Sequence, residues 1–289
     1  MLWFGLALTS AFAGATSDAL TKRCFGHLNA YEMGLVRLLY ALPFFLLMAV
    51  SVPWPQVKPA FWGVLAILYP LESLGLLLYM RAIRMSPLSL TLPFLAFTPV
   101  FLVGTGFVLL GERPSLWGAA GILLIVAGSY ALNLDSARLG GWLGPLRAVF
   151  RERGSVLILV VAFIYSVTSA LGKVAIQMSE PRFFGAVYPA LLAIGLAVIY
   201  PLSGKASLRN LGARPWLGLL LGVVYAGMFL SHAVAISLVN ASYMIAVKRT
   251  SLLFGVAYGG VLFKEERIAQ RFLGAGFMAA GVALIALCG

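Results

Sequence analysis

Residues 111–121 have the sequence Gly-Glu-Arg-Pro-Ser-Leu-Trp-Gly-Ala-Ala-Gly, and residues 264–274 have the sequence Lys-Glu-Glu-Arg-Ile-Ala-Gln-Arg-Phe-Leu-Gly. An offset of 153 residues aligns three pairs: Glu112 with Glu265, Gly121 with Gly274, and Gly128 with Gly281. Residues 19–22 resemble residues 170–173 at an offset of 151. Matches that recur at a nearly fixed period indicate an internal duplication. The chain is therefore predicted to contain two related halves.

Both halves are too apolar for a soluble protein. The 289 residues are 62% hydrophobic and only 10% charged, and the mean hydropathy is +0.99. About a quarter of the residues in a soluble domain are charged. The net charge of +12 reflects a shortage of acidic residues, with 21 Lys and Arg against nine Asp and Glu. The composition predicts an integral membrane protein and argues against a nucleic-acid partner, a disordered chain and a disulfide scaffold.

Ten stretches have the roughly 20 apolar residues that a membrane-spanning helix needs. These spans are 2–22, 30–51, 60–80, 86–110, 115–133, 155–176, 182–201, 215–238, 240–263 and 268–288. They are apolar on every side, whereas strands of a membrane barrel alternate apolar and polar residues. The first span lacks a preceding basic residue and a cleavage site, so we expect it to be retained and not removed as a signal peptide. The predicted fold class is an all-α integral membrane protein.

The longest connection divides the ten spans into five and five. The predicted units are a first five-helix repeat at 1–134, a basic cytoplasmic connector at 135–154 and a second five-helix repeat at 155–289. Because five is odd, the second unit must enter the membrane in the opposite direction. Two inverted repeats place a pseudo-twofold axis in the membrane plane and a cavity between the halves, as in many secondary transporters.

Basic residues predict the orientation of the chain. When Arg37, Lys248 and Arg249 inside the spans are set aside, the loops after spans one, three, five, seven and nine, counted with the residues at their edges, hold 14 of the other 18 Lys and Arg residues. We call the membrane face that carries these loops the basic face. Short loops rich in Lys and Arg stay in the cytoplasm. We therefore expect a cytoplasmic (inner) membrane protein with both termini outside the cytoplasm.

Small residues and prolines inside the spans suggest how the helices pack and bend. Glycines in spans five and ten are predicted to let helices approach closely: Gly118, Gly121, Gly128, Gly274, Gly276 and Gly281. Prolines inside the spans are predicted to produce static kinks or to permit bending: Pro43, Pro70, Pro93, Pro99 and Pro189.

Ionisable side chains inside a span are costly, so they usually face the interior of the bundle or a polar path. Glu72, Lys248 and Arg249 are expected near the middle of the membrane, Arg37 nearer the basic face and His232 nearer the opposite face. The repeat offset also relates Glu72 to Tyr225, which suggests that both lie at the axis. The candidate substrate-binding residues are Arg249, Lys248, Glu72, Arg37, Tyr225, Tyr79 and His232.

Two arrangements of these charges remain open. In one, Arg249 binds a carboxylate or other anionic group of the solute, while Lys248 or Arg37 balances Glu72. In the other, Glu72 and Arg249 form a buried structural ion pair. Glu72 or His232 could also carry a proton, and the alternative for His232 is a hydrogen-bonded structural role.

Three further features have structural interpretations. Asp18 and Lys22 are spaced for an i,i+4 ion pair, and Arg37 is expected within reach of Asp18. Glu112 and Glu265 are predicted to cap amides of the helix that follows each of them. Several tyrosines either line a path for an aromatic or amphipathic solute or anchor and pack the spans: Tyr40, Tyr69, Tyr79, Tyr225, Tyr243 and Tyr258.

The ends of spans four and nine, residues 109–112 and 262–265, are each followed by a glycine-spaced helix. Together with Arg37 and the segments 86–89, 97–99 and 247–251, they are similar to EamA-type transporters of the drug/metabolite transporter superfamily. The resemblance covers nearly the whole chain and implies transport of a small solute. The family moves amino acids, other metabolites and drugs, so it does not specify the substrate. Many members carry basic residues before the first span and keep both ends inside, whereas this chain lacks those residues.

We expect a secondary active carrier that exports an amino acid or other metabolite by alternating access, with a drug exporter of the same family as one alternative. A lipid-modifying membrane enzyme is the other alternative, but the sequence lacks the paired carboxylates, nucleophile or histidine cluster that it needs. No cofactor or metal is expected, and no nucleotide-binding motif is present. The partners are a small-molecule substrate and the lipid bilayer, and the small-residue faces would permit a homodimer.

A reporter enzyme that is active only in the cytoplasm tests the orientation. Fused after Gly289, it should stay inactive, because the charge bias places that end outside. Fused into the loop at residues 203–214, the same reporter should be active. The reverse pattern of activity would contradict the predicted orientation.

Overall fold

A computed structural model describes residues 1–86, 92–131, 153–263 and 271–288. The regular structure in these ranges is entirely helical, which confirms the predicted all-α class. The α-helices are α1 (Leu2–Phe25), α2 (Ala30–Ser51), α3 (Ala60–Met85), α4 (Thr98–Leu110), α5 (Leu116–Ala131), α6 (Arg153–Gln177), α7 (Pro181–Leu202), α8 (Pro215–Ser237), α9 (Ala241–Lys248), α10 (Ser251–Phe263) and α11 (Arg271–Cys288). Two 3₁₀ helices cover Leu92–Phe97 and Leu208–Ala213. Most of the predicted connector lies outside the described residues.

The helices account for the ten predicted spans. Span four consists of the 3₁₀ helix Leu92–Phe97 followed by α4, and span nine consists of α9 followed by α10. Five of the described helices, α2, α3, α6, α7 and α8, are each long and apolar enough to cross a membrane. The lengths and hydropathy of these helices are typical of a multi-pass membrane protein.

The packing of the first five spans recurs in the second five. Helix α1 packs against α8 as α6 packs against α3, and α4 packs against α6 as α9 and α10 pack against α1. At the end of α1, the Lys22 Nζ donates to the Ser86 carbonyl at 2.7 Å. At the end of α6, the Lys173 Nζ donates to the Val239 carbonyl at 2.6 Å. Because α1 and α6 end at opposite membrane faces, the two halves are inverted repeats.

Spans four and nine are interrupted at equivalent positions. Helix α4 begins at Thr98 and α10 begins at Ser251, and the offset between them is again 153 residues. A 3₁₀ helix precedes α4, whereas a turn at residues 249–250 precedes α10. Non-helical backbone at membrane depth is tolerated where it is buried in protein or lines a cavity. These interruptions therefore mark the interior of the bundle.

Local sequence sets several helix ends. Asn29 and Glu32 form a capping box at the start of α2, in which each side chain accepts a hydrogen bond from the backbone N–H of the other. Glu180 caps α7 by accepting from the Phe183 N–H at 3.0 Å. Helix α4 ends at Gly111, whose φ of 69° lies in the left-handed region that favours glycine.

The five prolines differ in whether they interrupt the hydrogen bonds of a helix. Pro43, Pro70 and Pro189 lie inside α2, α3 and α7, where they remove a helical hydrogen bond. Pro99 instead lies in the first turn of α4, where its missing N–H costs nothing, so the predicted kink there is wrong. Pro93 lies in the 3₁₀ helix.

Helices α5 and α11 contact each other backbone to backbone. A Cβ atom on Gly121 would lie 2.8 Å from the Gly281 carbonyl oxygen, and one on Gly281 would lie 2.6 Å from the Gly121 carbonyl oxygen. A Cβ on Gly128 would lie 2.6 Å from the Gly274 carbonyl oxygen. Gly276 is exposed with nothing near its missing Cβ, so its predicted packing role is wrong. Small residues thus permit this contact without hydrophobic force.

Gly281→Ala should destabilise the protein, because its methyl group would overlap backbone atoms of α5. We expect the free energy of unfolding to fall by about 1–3 kcal/mol, as for other overpacked interiors. Thermal unfolding of the purified protein in detergent measures the change. Gly276→Ala on the same helix is the matched control and should leave the melting temperature unchanged or slightly higher. Equal losses for the two variants would contradict the assigned contact.

Candidate functional site

A cavity of about 160 Å³ lies between the two halves. The structure brings all seven candidate residues to its wall: Arg37, Glu72, Tyr79, Tyr225, His232, Lys248 and Arg249. They come from α2, α3, α8, the last residue of α9 and the turn after it. The polar residues that the sequence places at intermediate depth therefore share one chamber.

The cavity lies on the pseudo-twofold axis. Repeat-related positions line it in pairs, among them Asp18 and Ser169, Arg37 and Tyr188, Glu72 and Tyr225, and Tyr79 and His232. The offset is 151 residues for the first two pairs and 153 residues for the other two. In the first three pairs one member is charged and the other is not. The backbone thus repeats, but the charges of the chamber are asymmetric.

Arg249 is held in the turn between α9 and α10. Its side chain is only 6% exposed, and its Nη2 donates to the Thr98 hydroxyl at 3.0 Å. Its buried Nε has no hydrogen-bond partner. An unsatisfied charged donor inside a protein is costly, which makes Arg249 a candidate for ligand binding.

Glu72 does not pair with Arg249. Its carboxylate interacts with the Thr168 hydroxyl across the contact between α3 and α6. Within the described ranges, the ion pairs formed by side chains are Arg37 with Asp18 and Lys173 with Glu112. The alternative of a buried Glu72–Arg249 pair is therefore not what the structure contains. Neither Lys248 nor Arg37 forms an ion pair with Glu72, because each side chain has another partner.

An ion pair, a hydrogen bond and two aromatic rings compensate the charge of the Arg37 guanidinium. Its Nη2 donates to an Asp18 carboxylate oxygen at 2.5 Å, and its Nε donates to the Thr21 hydroxyl at 2.8 Å. The Tyr79 hydroxyl donates to the second Asp18 oxygen at 2.6 Å. The rings of Tyr79 and Tyr225 each lie 5.8 Å from the guanidinium carbon. Arg37 is thus part of a built network in the chamber wall.

This network corrects the predicted pairing of Asp18 with Lys22. Asp18 points into the chamber towards α2 and α3, whereas Lys22 reaches the backbone at the end of α3. An i,i+4 pair needs both side chains on the same exposed face of the helix. Here Asp18 lies on the side of α1 that lines the chamber, where Arg37 of α2 and Tyr79 of α3 hold its carboxylate.

Lys248 and His232 contact each other directly. The Lys248 Nζ lies 3.1 Å from the His232 Nδ1 and 3.3 Å from the Met228 sulfur. His232 is thus hydrogen-bonded, as one of the two alternatives for it predicts. Its partner is a basic side chain.

Residues from α6 and α7 also line the chamber, and sequence analysis did not single them out. Tyr165, Thr168 and Tyr188 face Glu72 and Arg37 from the second half. The repeat offset from Arg37 could have identified Tyr188, but no such signal marked the other two. Tyr165 fits because Gly75 lacks a side chain, since a Cβ there would lie 2.8 Å from the ring. No group of three potential metal ligands occurs in the described part of the chain.

Hydrogen bonds join the two halves on the basic face, and we call them the α2 latch. Glu32 Oε1 accepts from the Ser207 N–H at 3.1 Å and from the Asn210 side-chain amide at 2.8 Å. The Asn29 amide donates to the Lys205 carbonyl at 3.2 Å, and the Tyr40 hydroxyl donates to the Leu211 carbonyl at 3.1 Å. The latch therefore joins α2 of the first half to the connection between α7 and α8.

Packing of α8 against α2 reinforces the α2 latch. Gly218 and Gly222 lie directly against Tyr40, and a Cβ atom on either glycine would overlap with it. The repeat-related contact, between α3 and α7 towards the opposite face, is much smaller. The packing of α2 against α8 is therefore more extensive than the repeat-related packing of α7 against α3.

Glu112 forms a second link between the two halves, on the opposite face. It forms an ion pair with Lys173 of α6 and accepts from the Ala241 N–H at 2.8 Å, at the start of α9. The predicted cap on the following helix is therefore wrong, because the carboxylate caps a helix of the other half. Glu265, its counterpart, lies outside the described residues.

Comparison with known proteins gives a family and a fold. The model of the EamA-like transporter family matches residues 1–134 and 152–287. A solved structure described only as "Crystal structure of protein" has a TM-score of 0.70 and 15% sequence identity, and the match covers 99% of this chain and 96% of that chain. At this identity the likeness concerns the fold alone. No match was found among curated proteins.

Asp18→Asn should destabilise the protein, because it leaves the buried Arg37 guanidinium without its counter-charge. Breaking a buried pair at one partner costs about 3–5 kcal/mol. The double variant with Arg37→Gln should recover part of that loss, since no unpaired charge remains. Thermal unfolding of the purified variants in detergent measures both effects. A double variant as unstable as the sum of its single changes would argue against the pair.

Proposed function

Because the chain belongs to the EamA-like transporter family, a family of transporters and not of enzymes, we propose that it carries a small carboxylate-bearing solute through the central chamber. The protein is a multi-pass membrane protein that moves small solutes. The proposal adds the chemical class of the solute and the side chains that bind it.

The observation that supports this class is the unsatisfied Arg249 Nε. Arginine presents its N–H groups in a planar fork that matches the two oxygens of a carboxylate. The Thr98 hydroxyl occupies Nη2, which leaves Nε as a buried donor in the wall of the chamber. A carboxylate oxygen of the solute would satisfy it.

The charge of the chamber agrees with this choice. The Arg37–Asp18 and Lys173–Glu112 pairs are each neutral. Glu72, Lys248 and Arg249 line the chamber outside these pairs and together carry a net charge of +1 when all are ionised. A solute carboxylate would lower that charge, and a cationic drug would raise it. Glu72 offers a partner for the ammonium group of an amino acid.

The inverted repeats suggest how the solute moves. In this carrier, the units 1–134 and 155–289 would rock against each other and expose the chamber to one face at a time. Release of the α2 latch would open the basic face, which we place in the cytoplasm of a cell with an inner membrane. The gradients of the solute and of a coupling ion would set the direction.

Transport by the purified protein in liposomes tests the proposal. Uptake and counterflow should be screened over amino acids, organic acids and cationic drugs, with and without a pH gradient. Carboxylates should move chemically unchanged. Movement of cationic drugs alone would contradict the proposed class.

Arg249→Gln should weaken transport of carboxylates by about 10- to 100-fold in apparent affinity, because a hydrogen bond to a charged group contributes about 1.5–3 kcal/mol. Matched neutral amides of the same solutes should lose much less. Arg249→Lys is the control that keeps the charge and removes the fork, and it should recover part of the affinity. An equal loss for acids and amides would indicate a structural role for Arg249.

A further inference from the structure

The contact between Lys248 and His232 limits how many protons the two side chains hold. A hydrogen bond between two nitrogen atoms needs one N–H donor and one lone pair. At 3.1 Å, the bond forms when Lys248 alone is charged, when His232 alone is charged or when both are neutral, and it excludes only the form in which both are charged. The hydrogen-bonded pair therefore carries at most one positive charge. A second proton would remove the lone pair and place two cations side by side.

The surroundings oppose that second proton in the empty chamber. Arg249 follows Lys248 directly, and a guanidinium stays protonated in proteins. The uncharged ring of Phe229 lies 6.5 Å from the imidazole centre. The other charged and titratable groups that face the chamber from the helices around the pair are Asp18 of α1, Arg37 of α2, Glu72 and Tyr79 of α3, Tyr165 and Lys173 of α6, Tyr188 of α7 and Tyr225 of α8.

Ion pairs neutralise three of the four charged residues in this set. Asp18 is paired with Arg37, and Lys173 with Glu112, which leaves Glu72 as the lining carboxylate outside both pairs. With one proton on the Lys248–His232 pair, the chamber carries a net +1. A second proton would make it +2 in an environment that screens charge poorly. A bound monocarboxylate would offset that second proton.

We propose that the Lys248–His232 pair is the proton site of this carrier, taking up its second proton together with an anionic solute. The proton comes from the aqueous side to which the chamber is open, binds the lone pair that accepts the hydrogen bond and thereby breaks the bond between the two side chains. It leaves to the other side when the solute leaves. Binding of the two ligands is mutually favourable because linkage is reciprocal. Solute and proton then move in the same direction, an inference that rests on the proposed function.

Nuclear magnetic resonance of the purified protein tests the pair without any solute. The chain has two histidines, and the exposed His27 can be replaced by Gln so that His232 gives the one nitrogen-15 imidazole signal. At neutral pH we expect a neutral ring with a hydrogen-bonded Nδ1. Lys248→Met should shift that signal towards a nitrogen without a hydrogen bond. A ring protonated on both nitrogens in the empty protein, with Lys248 charged, would overturn the proposal.

Proton movement in liposomes tests the coupling. Benzoate, malate, L-aspartate and L-alanine are the probes, and a pH-sensitive dye inside the vesicles counts protons. With an anionic solute that moves, the wild-type protein should carry about one proton for each solute molecule, because the pair takes up one further proton. In His232→Gln, the ratio of protons to solute should fall to near zero, because Gln accepts a hydrogen bond but does not titrate. His27→Gln is the matched control and should keep the wild-type ratio.

The outcomes separate the two proposals. Solute movement without protons in the wild-type protein, or an unchanged ratio in His232→Gln, would overturn the coupling and leave the carrier function intact. Failure of every probe to move would contradict the proposed carboxylate class, while the imidazole signal would still decide whether the pair holds one proton.

Discussion

The cost of placing charge inside a membrane governs this structure. A charged side chain at membrane depth is stable only when another charge, hydrogen bonds or water compensates it. The bundle meets this demand by gathering its polar groups in one chamber and by interrupting two spans beside it. Arg37 is paired with Asp18 and bonded to Thr21, whereas Arg249 keeps a buried donor free. The difference supports the proposal that Arg249, and not Arg37, binds the solute.

Backbone symmetry and chemical asymmetry coexist in the chamber. The repeats supply equivalent positions around the axis, such as Glu72 and Tyr225, but only one member of that pair carries charge. A fully symmetric set would place like charges opposite each other, and like charges repel strongly where water is scarce. Duplication thus provides the scaffold, and divergence of single side chains provides a dipolar site.

Much of the architecture could be predicted from the sequence, because helix length, polarity and the repeat offset are properties of the chain itself. The repeat offset alone relates Glu72 to Tyr225. The ion-pair and hydrogen-bond partners of individual side chains are harder to predict from the sequence, since they depend on how each helix is rotated about its axis. Asp18 therefore pairs with Arg37 and not with Lys22, and Glu112 caps a helix of the other half. Gly276 follows the pattern of its neighbours, yet it faces outwards.

Glu32 uses its two carboxylate oxygens for two different contacts in the α2 latch. One carboxylate oxygen holds the start of α2, while the other oxygen binds the connection between α7 and α8. In the proposed opening of the basic face, that connection would move away while the first contact kept the Glu32 side chain in its rotamer. The connection would then return to a carboxylate that is already oriented, so that closing would lose little side-chain entropy.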